Sequence, residues 1–369
     1  MYKNILFYSN IITSYKNNFL NSLRNYCKFN VLLSSGKSKR RNSSLVDFNK
    51  NYKVKVMKSF KIKINSLPKF LRKDTRENYT IQFSPRIFFQ LLKLHNDFIM
   101  YGPYTEINSW IICFYCKLFN VKNLLFVDTH FGCESKQNKI KTIIKKNIIN
   151  NTDKFIVPSS KSKIWLNEKY QIKNDNILIY PMANFDTIKN LKIEKYKNIF
   201  NILFVGEITN NKNLLDLLKA CTNLANVKIY VAGKIIEPDY YNVCVNYIKK
   251  NKINVCFLGH LNKKKLEEYY IESHLLVNCS VSETVGYVLY EALNYYKPLI
   301  ITKNVGCSLD VVEEGLNGEI YDVYDYKKLK EKIKKIKKNH FEYCLGSQKK
   351  FLSLKEKFRP RKVIEFILK

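Results

Sequence analysis

Two glutamates stand eight residues apart in a segment whose residue types suit a ligand with both phosphate and hydroxyl groups. Glu283 follows a short apolar run, and Glu291 lies in the apolar-periodic stretch after Gly286. If that stretch is a helix, its first amides have no partner within the helix and can bind phosphate. Carboxylates accept hydrogen bonds from hydroxyls but repel phosphate. The spacing therefore predicts a strand, a glycine-containing turn and a helix that together bind a polyhydroxylated, phosphorylated ligand.

The chemistry of this segment divides between backbone and side chains. The amides of Thr284, Val285 and Gly286 suit a diphosphate, and Glu283 stands at the mouth of the predicted helix. Glu291 lies two turns further along, so its expected partner is a ribose hydroxyl. The alternative interpretation is a helix N-cap at Glu283 and a solvated surface glutamate at Glu291.

A second strand-loop-helix pattern could contact the same ligand. The apolar run Ile202–Val205 leads into Gly206, and Lys212 precedes the helical pattern over 214–218. Glycine lets the backbone approach a ligand, and lysine adds a positive charge beside the positive end of the helix dipole. Alone this pattern is weak, since many such loops contain Gly and Lys. Because the carboxyl ends of parallel strands share one edge of a sheet, we expect this loop to converge with the Glu283 loop.

Short apolar runs alternate with amphipathic stretches along the chain, which is typical of buried parallel strands alternating with helices. In the first half the predicted strands are Ile5–Tyr8, Val31–Leu33, Phe98–Tyr101, Leu124–Val127, Phe155–Val157 and Ile177–Tyr180. In the second half they are Ile202–Val205, Val227–Ala232, Val255–Leu258, Leu275–Val277 and Leu299–Ile301. We therefore predict an α/β fold in which two doubly wound, Rossmann-like domains face each other across a cleft.

Composition divides the chain of 369 residues into four segments. We predict a first domain in 1–185, a polar, lysine-rich linker in 186–199 and a second domain in 200–350. Residues 351–369 carry an apolar-periodic helix that is either the last helix of the second domain or a tail that crosses back to the first. The region Lys37–Asn78 is basic and weakly periodic.

The order of short motifs in the second half resembles that of retaining glycosyltransferases of family 4 (glycosyl transferases group 1), which have the GT-B fold. The resemblance is close over roughly residues 200–340 and loose in the first half. Its motifs are Val205-Gly206 with Lys212-Asn213, Val231-Ala232-Gly233, Phe257-Leu258-Gly259, Glu283 to Gly286, Leu289 to Leu293, Pro298, Val305-Gly306 and Gly315 to Gly318. The resemblance implies that 1–185 is the acceptor-side domain and that 200–350 binds a nucleotide sugar.

The resemblance also implies roles for individual residues. Lys212 takes the place of the lysine that binds the donor diphosphate, Glu283 that of the glutamate that meets the donor sugar, and Glu291 that of the glutamate that holds the ribose. Gly206 is the strand-end glycine of the donor site, but the family usually has Arg after it, where this chain has Glu207. A carboxylate there repels a diphosphate unless it points away or meets Lys212.

The first half supplies a candidate histidine. Phe126 and Val127 end an apolar run that leads into Asp128 and His130. By resemblance, His130 faces the cleft near the donor sugar, and Asp128 either orients it or ends the strand; a structural histidine is the alternative. The loop after the first predicted strand, residues 9–14, has no glycine, unlike the loop that approaches the donor in similar enzymes.

The chain has a formal charge of +33, which could attract nucleic acid, an anionic membrane or an anionic donor. Eight Arg stand against 56 Lys, and Asn, Ile, Tyr and Phe are abundant, so the excess also fits a genome rich in A/T codons. No nucleic-acid-binding module is recognisable, and nucleic acid is therefore the least favoured partner. Lys136–Ile149 and Lys327–Lys338 are Lys-rich amphipathic stretches. The first suits docking on an anionic leaflet or on the protein's own core, and we expect a core-packed helix with its Lys side near the membrane. The second is expected to be a helix with a solvated face.

The ten cysteines show no repeated pair, and Cys113 and Cys116 lie in an apolar stretch, where buried free thiols are expected. No apolar run reaches the roughly 18 residues that span a bilayer. We expect a cytoplasmic protein whose membrane contact, if any, is peripheral, at the inner face.

Together these features predict a metal-independent glycosyltransferase of hexosyltransferase type. It would move a sugar, with retention, from a nucleoside-diphosphate sugar to a hydroxyl of a glycan or lipid-linked glycan. Neither a cofactor nor a metal ligand set is expected. The alternatives are a nucleotide-sugar epimerase or phosphorylase on the same fold, or a degenerate non-catalytic subunit that binds sugar.

Overall fold

A computed structural model of the protein describes residues 4–34, 53–63, 80–94, 96–134, 139–185, 191–193, 196 and 198–369. Within these ranges the chain forms two parallel β-sheets, one before residue 180 and one after residue 199, with helices between the strands. The predicted α/β class is confirmed.

The first sheet has seven parallel strands, and a separate antiparallel pair lies beside it. In chain order the strands are β1 (Asn4–Ser9), β2 (Lys28–Leu33), β3 (Lys53–Val56), β4 (Phe60–Lys63), β5 (Thr80–Phe83), β6 (Phe98–Tyr101), β7 (Lys122–Phe126), β8 (Lys154–Val157) and β9 (Ile177–Ile179). The sheet order is β3-β2-β1-β6-β7-β8-β9, while β4 pairs with β5. The order reverses between β1 and β6, and ligands of open α/β sheets bind at such a switch point.

All six strands predicted for the first half are present, and three further strands were not predicted. The residues of β6 are buried throughout, as expected of a strand covered on both faces. The sequence of β3 alternates Lys with Val at the sheet edge, and three of its four residues are exposed. Such a strand lacks the apolar run that identified the others.

In the described part of the first half, five helices connect the strands. They are α1 (Ser14–Leu23), α2 (Ile87–Lys93), α3 (Ile107–Phe119), α4 (Lys139–Asn150) and α5 (Ser160–Tyr170). The hydroxyls of Thr13 and Ser159 accept hydrogen bonds from amides in the first turns of α1 and α5, which fixes where these helices begin. Asn120 and Gln171 end α3 and α5 in the left-handed conformation.

The second sheet has six parallel strands. They are β10 (Phe200–Val205), β11 (Val227–Ala232), β12 (Val255–Gly259), β13 (Leu275–Asn278), β14 (Leu299–Thr302) and β15 (Gly318–Tyr321). Their order is β12-β11-β10-β13-β14-β15, so the switch point lies between β10 and β13. The five predicted strands are present; β15 was missed because its sequence, Gly-Glu-Ile-Tyr, has no continuous apolar run.

Eight helices follow in the second half. They are α6 (Leu214–Cys221), α7 (Pro238–Asn251), α8 (Lys263–Glu272), α9 (Tyr287–Asn294), α10 (Ser308–Val311), α11 (Tyr326–Lys338), α12 (His340–Lys357) and α13 (Pro360–Leu368). On α11, Leu329, Ile333 and Ile336 are buried while most of the Lys residues lie on the other side, as predicted for a helix with a solvated face.

The last helix crosses back to the first half. Val363 and Ile367 of α13 are buried, and α13 packs against α1. Lys154 Nζ, at the start of β8, donates a hydrogen bond of 2.5 Å to the carbonyl of Phe366. Residue 351, where the tail was predicted to begin, lies inside α12, and the crossing segment begins at Pro360. Of the two arrangements considered for the tail, the structure shows the return to the first half.

Helix α4 packs on the first domain, as expected for a core-packed helix. Ile148 and Ile149 are buried, whereas Ile143 is exposed. Lys145 departs from the Lys side expected to lie near a membrane, because it is 3% exposed and pairs with Glu134 at 3.3 Å. Its ammonium group lies 4.3 Å from the ring centroid of Trp165, so a cation–π contact adds to the ion pair.

Two further expectations concern thiols and membrane spans. Cys113 and Cys116 of α3 are free and buried, which confirms that this pair consists of core thiols. Among the helices in the described parts of the chain, none is long and apolar enough to cross a membrane.

Candidate functional site

The two loops predicted to converge meet at the switch point of the second sheet. One follows β10 and carries Lys212, and the other follows β13 and carries Glu283. Asn211 Nδ2 donates to the carbonyl of Ser282 (2.9 Å), and the amide of Val281 donates to the carbonyl of Asn211 (2.8 Å). These bonds hold the loops side by side, and the Lys212 ammonium group forms an ion pair with the Glu283 carboxylate.

Local structure fixes the position of Lys212. The Thr209 hydroxyl accepts a hydrogen bond from the Lys212 amide (3.3 Å) and caps the short 3-10 turn Asn210–Lys212. A Cβ placed on Gly206 would lie 3.5 Å from Lys212 Cδ, so the lysine stem runs over the glycine backbone. Glycine is required at Gly233, where a Cβ would come within 1.8 Å of the Gly206 carbonyl oxygen. Gly233 thus allows the backbones that follow β10 and β11 to approach each other closely.

Glu207 lies apart from this ion pair. Its side chain is exposed, and within the described part of the chain it makes no hydrogen bond or ion pair. Two arrangements were predicted to prevent Glu207 from repelling a diphosphate: it points away, or it meets Lys212. The second is not observed, because Lys212 pairs with Glu283.

The Glu283 loop is held by its neighbour after β14. The amide of Gly306 donates to the Glu283 carbonyl (2.9 Å), and the amide of Cys307 donates to the Val285 carbonyl (3.1 Å). Gly286 has φ +92°, a conformation that glycine adopts easily, and α9 begins only after it at Tyr287. The amides of Thr284, Val285 and Gly286 therefore belong to the loop before α9 and not to its first turn, which corrects the predicted helix start. They donate no hydrogen bond to another described residue.

His130 reaches this loop from the first half. It follows β7, caps the 3-10 turn Phe131–Cys133 and is 2% exposed. Its Nδ1 accepts from the Gly132 amide (3.1 Å), so the ring proton is on Nε2, which donates to the Glu283 carbonyl (2.9 Å). Burial lowers the pKa of His130, which favours this neutral tautomer near pH 7. Gly306 leaves room for the contact, since its Cβ would lie 3.2 Å from His130 Cδ2 and 1.9 Å from the Thr284 carbonyl oxygen.

Two polar groups beside His130 were not predicted. Cys133 Sγ lies 3.1 Å from His130 Nε2 and 2.9 Å from Ser282 Oγ. Ser282 Oγ in turn donates to the Gly132 carbonyl (3.0 Å). Burial raises the pKa of the Cys133 thiol, so the thiol form is favoured. The position of Ser282 directly before Glu283 was the available signal, whereas nothing in the sequence singled out Cys133.

Glu291 lies on α9 with a tyrosine at each carboxylate oxygen. Tyr15 of α1 donates to Oε1 (2.5 Å), and Tyr270 of α8 donates to Oε2 (2.9 Å). The Tyr15 ring also stacks on Tyr287, with centroids 4.0 Å apart and planes at 14°. Sequence reasoning missed all three tyrosines. Tyr15 in particular meets Glu291 only because one half packs on the other.

A cavity of about 220 Å³ lies next to these contacts, at the switch point of the first sheet. Its lining includes Ser9 at the end of β1, the following Asn10, Lys16 of α1, Asp128 just after β7, and Tyr287 from the second half. Lys16 Nζ donates to Ser9 Oγ (2.7 Å). Asp128 therefore faces a cavity near the cleft, and the glycine-free first loop forms part of its wall.

A further contact ties the halves together next to His130. Asp310 of α10 is 4% exposed and accepts from the amide (2.8 Å) and hydroxyl (2.6 Å) of Ser160 at the start of α5. The carboxylate sits at the positive end of the α5 dipole, where a negative charge is stabilised. Lys161 Nζ also donates to the Lys303 carbonyl. The cleft wall is thus fixed on both sides of the candidate site.

Comparison with solved structures identifies the fold. HepE of Anabaena in complex with UDP superposes with a TM-score of 0.76 over 100% of this chain and 98% of that one, at 15% identity. The lipopolysaccharide outer core galactosyltransferase WaaB gives a TM-score of 0.71 over 99% of each chain, at 16% identity. Likeness at this identity establishes architecture alone: the protein has the GT-B fold of glycosyltransferases.

Sequence comparison places the second half in a family. Residues 186–351 match the glycosyl transferases group 1 family. A 41.2 kDa protein from the cps region of Klebsiella pneumoniae is 31% identical over 43% of this chain and 45% of its own length. A glycosyltransferase of Methanocaldococcus jannaschii is 30% identical over 50% of this chain and 49% of its own. The chain spans about half the length of these relatives, and its residues 186–351 are a glycosyl transferases group 1 domain, as the motifs predicted.

Proposed function

We propose that the protein is a retaining glycosyltransferase. It moves a sugar, of hexose type, from a nucleoside-diphosphate sugar to a hydroxyl of a glycan or lipid-linked glycan. The observation that carries the proposal is the meeting of Lys212 and Glu283 on two loops at one switch point, with Glu291 on the following helix. The Erwinia amylovora relative, 24% identical over 58% of this chain, is named an amylovoran biosynthesis glycosyltransferase, which supports an acceptor of the polysaccharide class.

Different groups of the protein would bind the donor's diphosphate charge and its hydroxyls. Lys212 exchanges its Glu283 partner for the diphosphate, and the loop amides of Thr284, Val285 and Gly286 supply further donors. Glu283 then accepts hydrogen bonds from the sugar, while Glu291 accepts from the ribose. HepE, which shares the fold, was solved with UDP and with UDP-glucose, and this supports a nucleotide sugar as the ligand.

In the reaction the diphosphate leaves and the acceptor hydroxyl attacks from the same face. Lys212 and the loop amides stabilise the negative charge that develops on the leaving group, so no metal ion is required. Glu207 is exposed and unpaired with Lys212, so it leaves this charge compensation intact. His130 acts through the backbone: its Nε2 proton holds the Glu283 carbonyl and with it the loop that carries the carboxylate.

The proposal is tested by a turnover screen of the purified protein against UDP-, GDP- and ADP-sugars. Release of the nucleoside diphosphate is measured with and without oligosaccharide or lipid-linked acceptors. We expect slow donor hydrolysis that accelerates when the acceptor is present. An epimerase would instead convert the donor sugar without an acceptor. Absence of release and conversion with every donor would contradict the enzyme proposal and favour a non-catalytic sugar-binding subunit.

A matched pair of lysine variants ties turnover to the site. Lys212→Ala removes the proposed diphosphate contact. Lys219→Ala removes a lysine on α6 whose ammonium group lies 5.4 Å from the Tyr326 ring centroid. We expect the first to lower donor turnover by about 10²- to 10³-fold and the second to retain it; equal turnover in both would separate the activity from this site.

We further propose that the protein docks on an anionic membrane at the inner face, through an exposed apolar surface of α2 and α3. The two helices pack on each other: the ring centroid of Phe88 on α2 lies 5.8 Å from that of Tyr115 and 6.4 Å from that of Phe119, both on α3. The surface, called here the α2–α3 face, comprises Phe89 (64% exposed), Leu92 (41%), Phe114 (61%), Leu118 (58%) and Phe119 (47%).

The charges of the α2–α3 face favour a membrane as its partner. Neither helix contains an acidic residue, and the basic residues Lys93 and Lys117 lie exposed in their last turns. Aromatic side chains suit the boundary between headgroups and acyl chains, while each lysine near an anionic surface adds about 1 kcal/mol. This face replaces α4 as the proposed docking element, since α4 buries Ile148, Ile149 and Lys145.

Vesicle flotation tests the docking. We expect binding to vesicles with phosphatidylglycerol that weakens with salt, and little binding to pure phosphatidylcholine. The variant Phe114→Ser/Leu118→Ser should lose binding, whereas Leu352→Ser, at a comparably exposed leucine of α12 (53%), should retain it. Unchanged flotation of the double variant would contradict docking through this face. If the protein forms concentration-dependent dimers, and the double substitution disrupts the dimer but not flotation, the face is a dimer interface and the docking proposal is likewise contradicted.

A further inference from the structure

Tyr15 occupies the carboxylate that the proposed function assigns to the ribose. Tyr287 and Glu291 are four residues apart on α9 and so lie on one face of the helix. The Tyr15 ring covers the first and its hydroxyl bonds to the second, at 2.5 Å. A single side chain of the first half therefore covers the face of α9 that carries Tyr287 and Glu291.

The two tyrosines at Glu291 differ in where they are anchored. Tyr270 is 2% exposed and stacks on Tyr295 with centroids 5.1 Å apart and planes at 8°, so it is fixed in the same half as Glu291. Tyr15 is only partly buried and belongs to the first turn of α1, on the other side of the cleft. Of the two hydroxyls, the one from Tyr15 can leave when the halves separate or when its side chain rotates.

We propose that Tyr15 is an internal competitor for the nucleotide, whose phenol hydroxyl takes the place of a ribose hydroxyl on Glu291 Oε1. The proposal rests on the proposed function, because it assigns the nucleoside to Glu291. A nucleotide binds only after Tyr15 releases the carboxylate, so its apparent affinity is reduced by the fraction of molecules in which Tyr15 is bound there. Donor binding is thereby coupled to opening of the contact between α1 and α9.

The chemistry of the contact sets the expected size of the effect. A hydrogen bond to a carboxylate is among the stronger ones in proteins, and the phenol is a good donor. Removing only the hydroxyl in Tyr15→Phe keeps the ring on Tyr287 but frees Oε1. We expect UDP, or whichever nucleoside diphosphate the wild type prefers, to bind about tenfold more tightly to this variant.

Tyr270→Phe is the matched control, because it removes a tyrosine hydroxyl from the same carboxylate. Since Tyr270 orients Glu291 from within its own half, its loss should leave nucleotide affinity equal or weaker. Glu291→Gln, which removes the charge, should weaken binding in both the wild-type and the Tyr15→Phe backgrounds.

Calorimetric titration of the wild type and four variants (Tyr15→Phe, Tyr270→Phe, Glu291→Gln and Tyr15→Phe/Glu291→Gln) with UDP, GDP and ADP tests this proposal. Tighter binding by Tyr15→Phe alone, or binding by Tyr15→Phe where the wild type shows none, supports the competitor role. If the wild type binds a nucleotide and Tyr15→Phe binds it equally or more weakly, the inference is overturned while the proposed function stands. If no protein binds any nucleotide, the donor site itself is refuted, and the inference falls with it.

Discussion

Both sheets reverse their strand order once, and candidate ligand groups lie at both reversals. In the second half the reversal lies between β10 and β13, and it brings together Lys212 and Glu283, which directly follow those strands. In the first half it lies between β1 and β6, where the cavity opens and where Tyr15 follows β1. The second half thus carries the charged side chains proposed to bind a ligand, whereas the first carries side chains that contact or cover those parts of the second half.

This difference shows in how the polar groups are paired. Lys212 and Glu283 neutralise each other within one half and remain partly exposed, at 24% and 19%. His130 and Tyr15 each make a hydrogen bond across the cleft, to the Glu283 carbonyl and the Glu291 carboxylate respectively. Under the proposed function, a common topology serves two tasks: ligand binding in one half and control of the binding loops in the other.

The largest effect is expected when the positive charge of Lys212 in the second half is removed. Lys212→Ala should lower the rate of nucleoside diphosphate release by about 10²- to 10³-fold, because the developing charge loses its cation. Steady-state kinetics against Lys219→Ala checks this. If Lys212→Ala left kcat intact, the charge would be supplied from elsewhere and the assignment of binding to this loop would fail.

His130→Ala probes the first half at the same loop. We expect a loss of about 10²-fold in kcat with the fold intact, since Glu283 loses the backbone contact that positions it. His130→Gln, which can keep an N–H donor toward the Glu283 carbonyl, should recover part of the rate. Circular dichroism verifies folding. Unchanged transfer in His130→Ala would remove this residue from the site.

Histidines outside the cleft supply a contrast in pH dependence. Burial lowers the pKa of His274 and of His340, in each case to about 4. Because unfolded histidine titrates near 6.5, the unfolded chain binds more protons below that pH, and stability falls from pH 6.5 toward 4. At pH 5 we expect a loss on the order of 2 kcal/mol for each histidine, and about 4 kcal/mol for the pair. Urea unfolding of His274→Asn/His340→Gln should show a weaker loss on acidification; an unaltered pH dependence would assign it to other groups.

The smallest expected effects divide the work of the two glutamates. Glu291→Ala should weaken nucleotide binding about tenfold, through loss of hydrogen bonds to a charged acceptor. Glu283→Ala should mainly lower turnover and leave nucleotide affinity near that of the wild type. Calorimetry and kinetics on both variants test the division, and equal losses of both properties in both variants would argue against it.

The sequence predicted what depends on local pattern. Apolar runs located every strand of the second sheet except β15, and the rule that parallel strands share a carboxyl edge predicted that the Lys212 and Glu283 loops would meet. The start of α9 was placed too early because the positive φ of Gly286 delays the helix to Tyr287. The strands β3, β4 and β5 escaped notice since their residues lack a continuous apolar run.

Contacts between the halves could not be predicted. Tyr15 lies 276 positions from Glu291 in sequence, and their meeting depends on the angle at which the halves pack, which no local pattern encodes. The same holds for Cys133 and Ser282, 149 positions apart. The return of α13 to α1 was left between two arrangements, because an apolar helix face predicts burial but not the surface that buries it.

The most direct measurement of the central claim is calorimetric titration of wild type and Lys212→Ala with uridine and with UDP, repeated with guanosine and GDP and with adenosine and ADP. The account predicts that one diphosphate binds the wild type more tightly than its nucleoside and that Lys212→Ala loses most of this difference. Failure of all three diphosphates to bind the wild type, or an undiminished preference for diphosphate in Lys212→Ala, would contradict it.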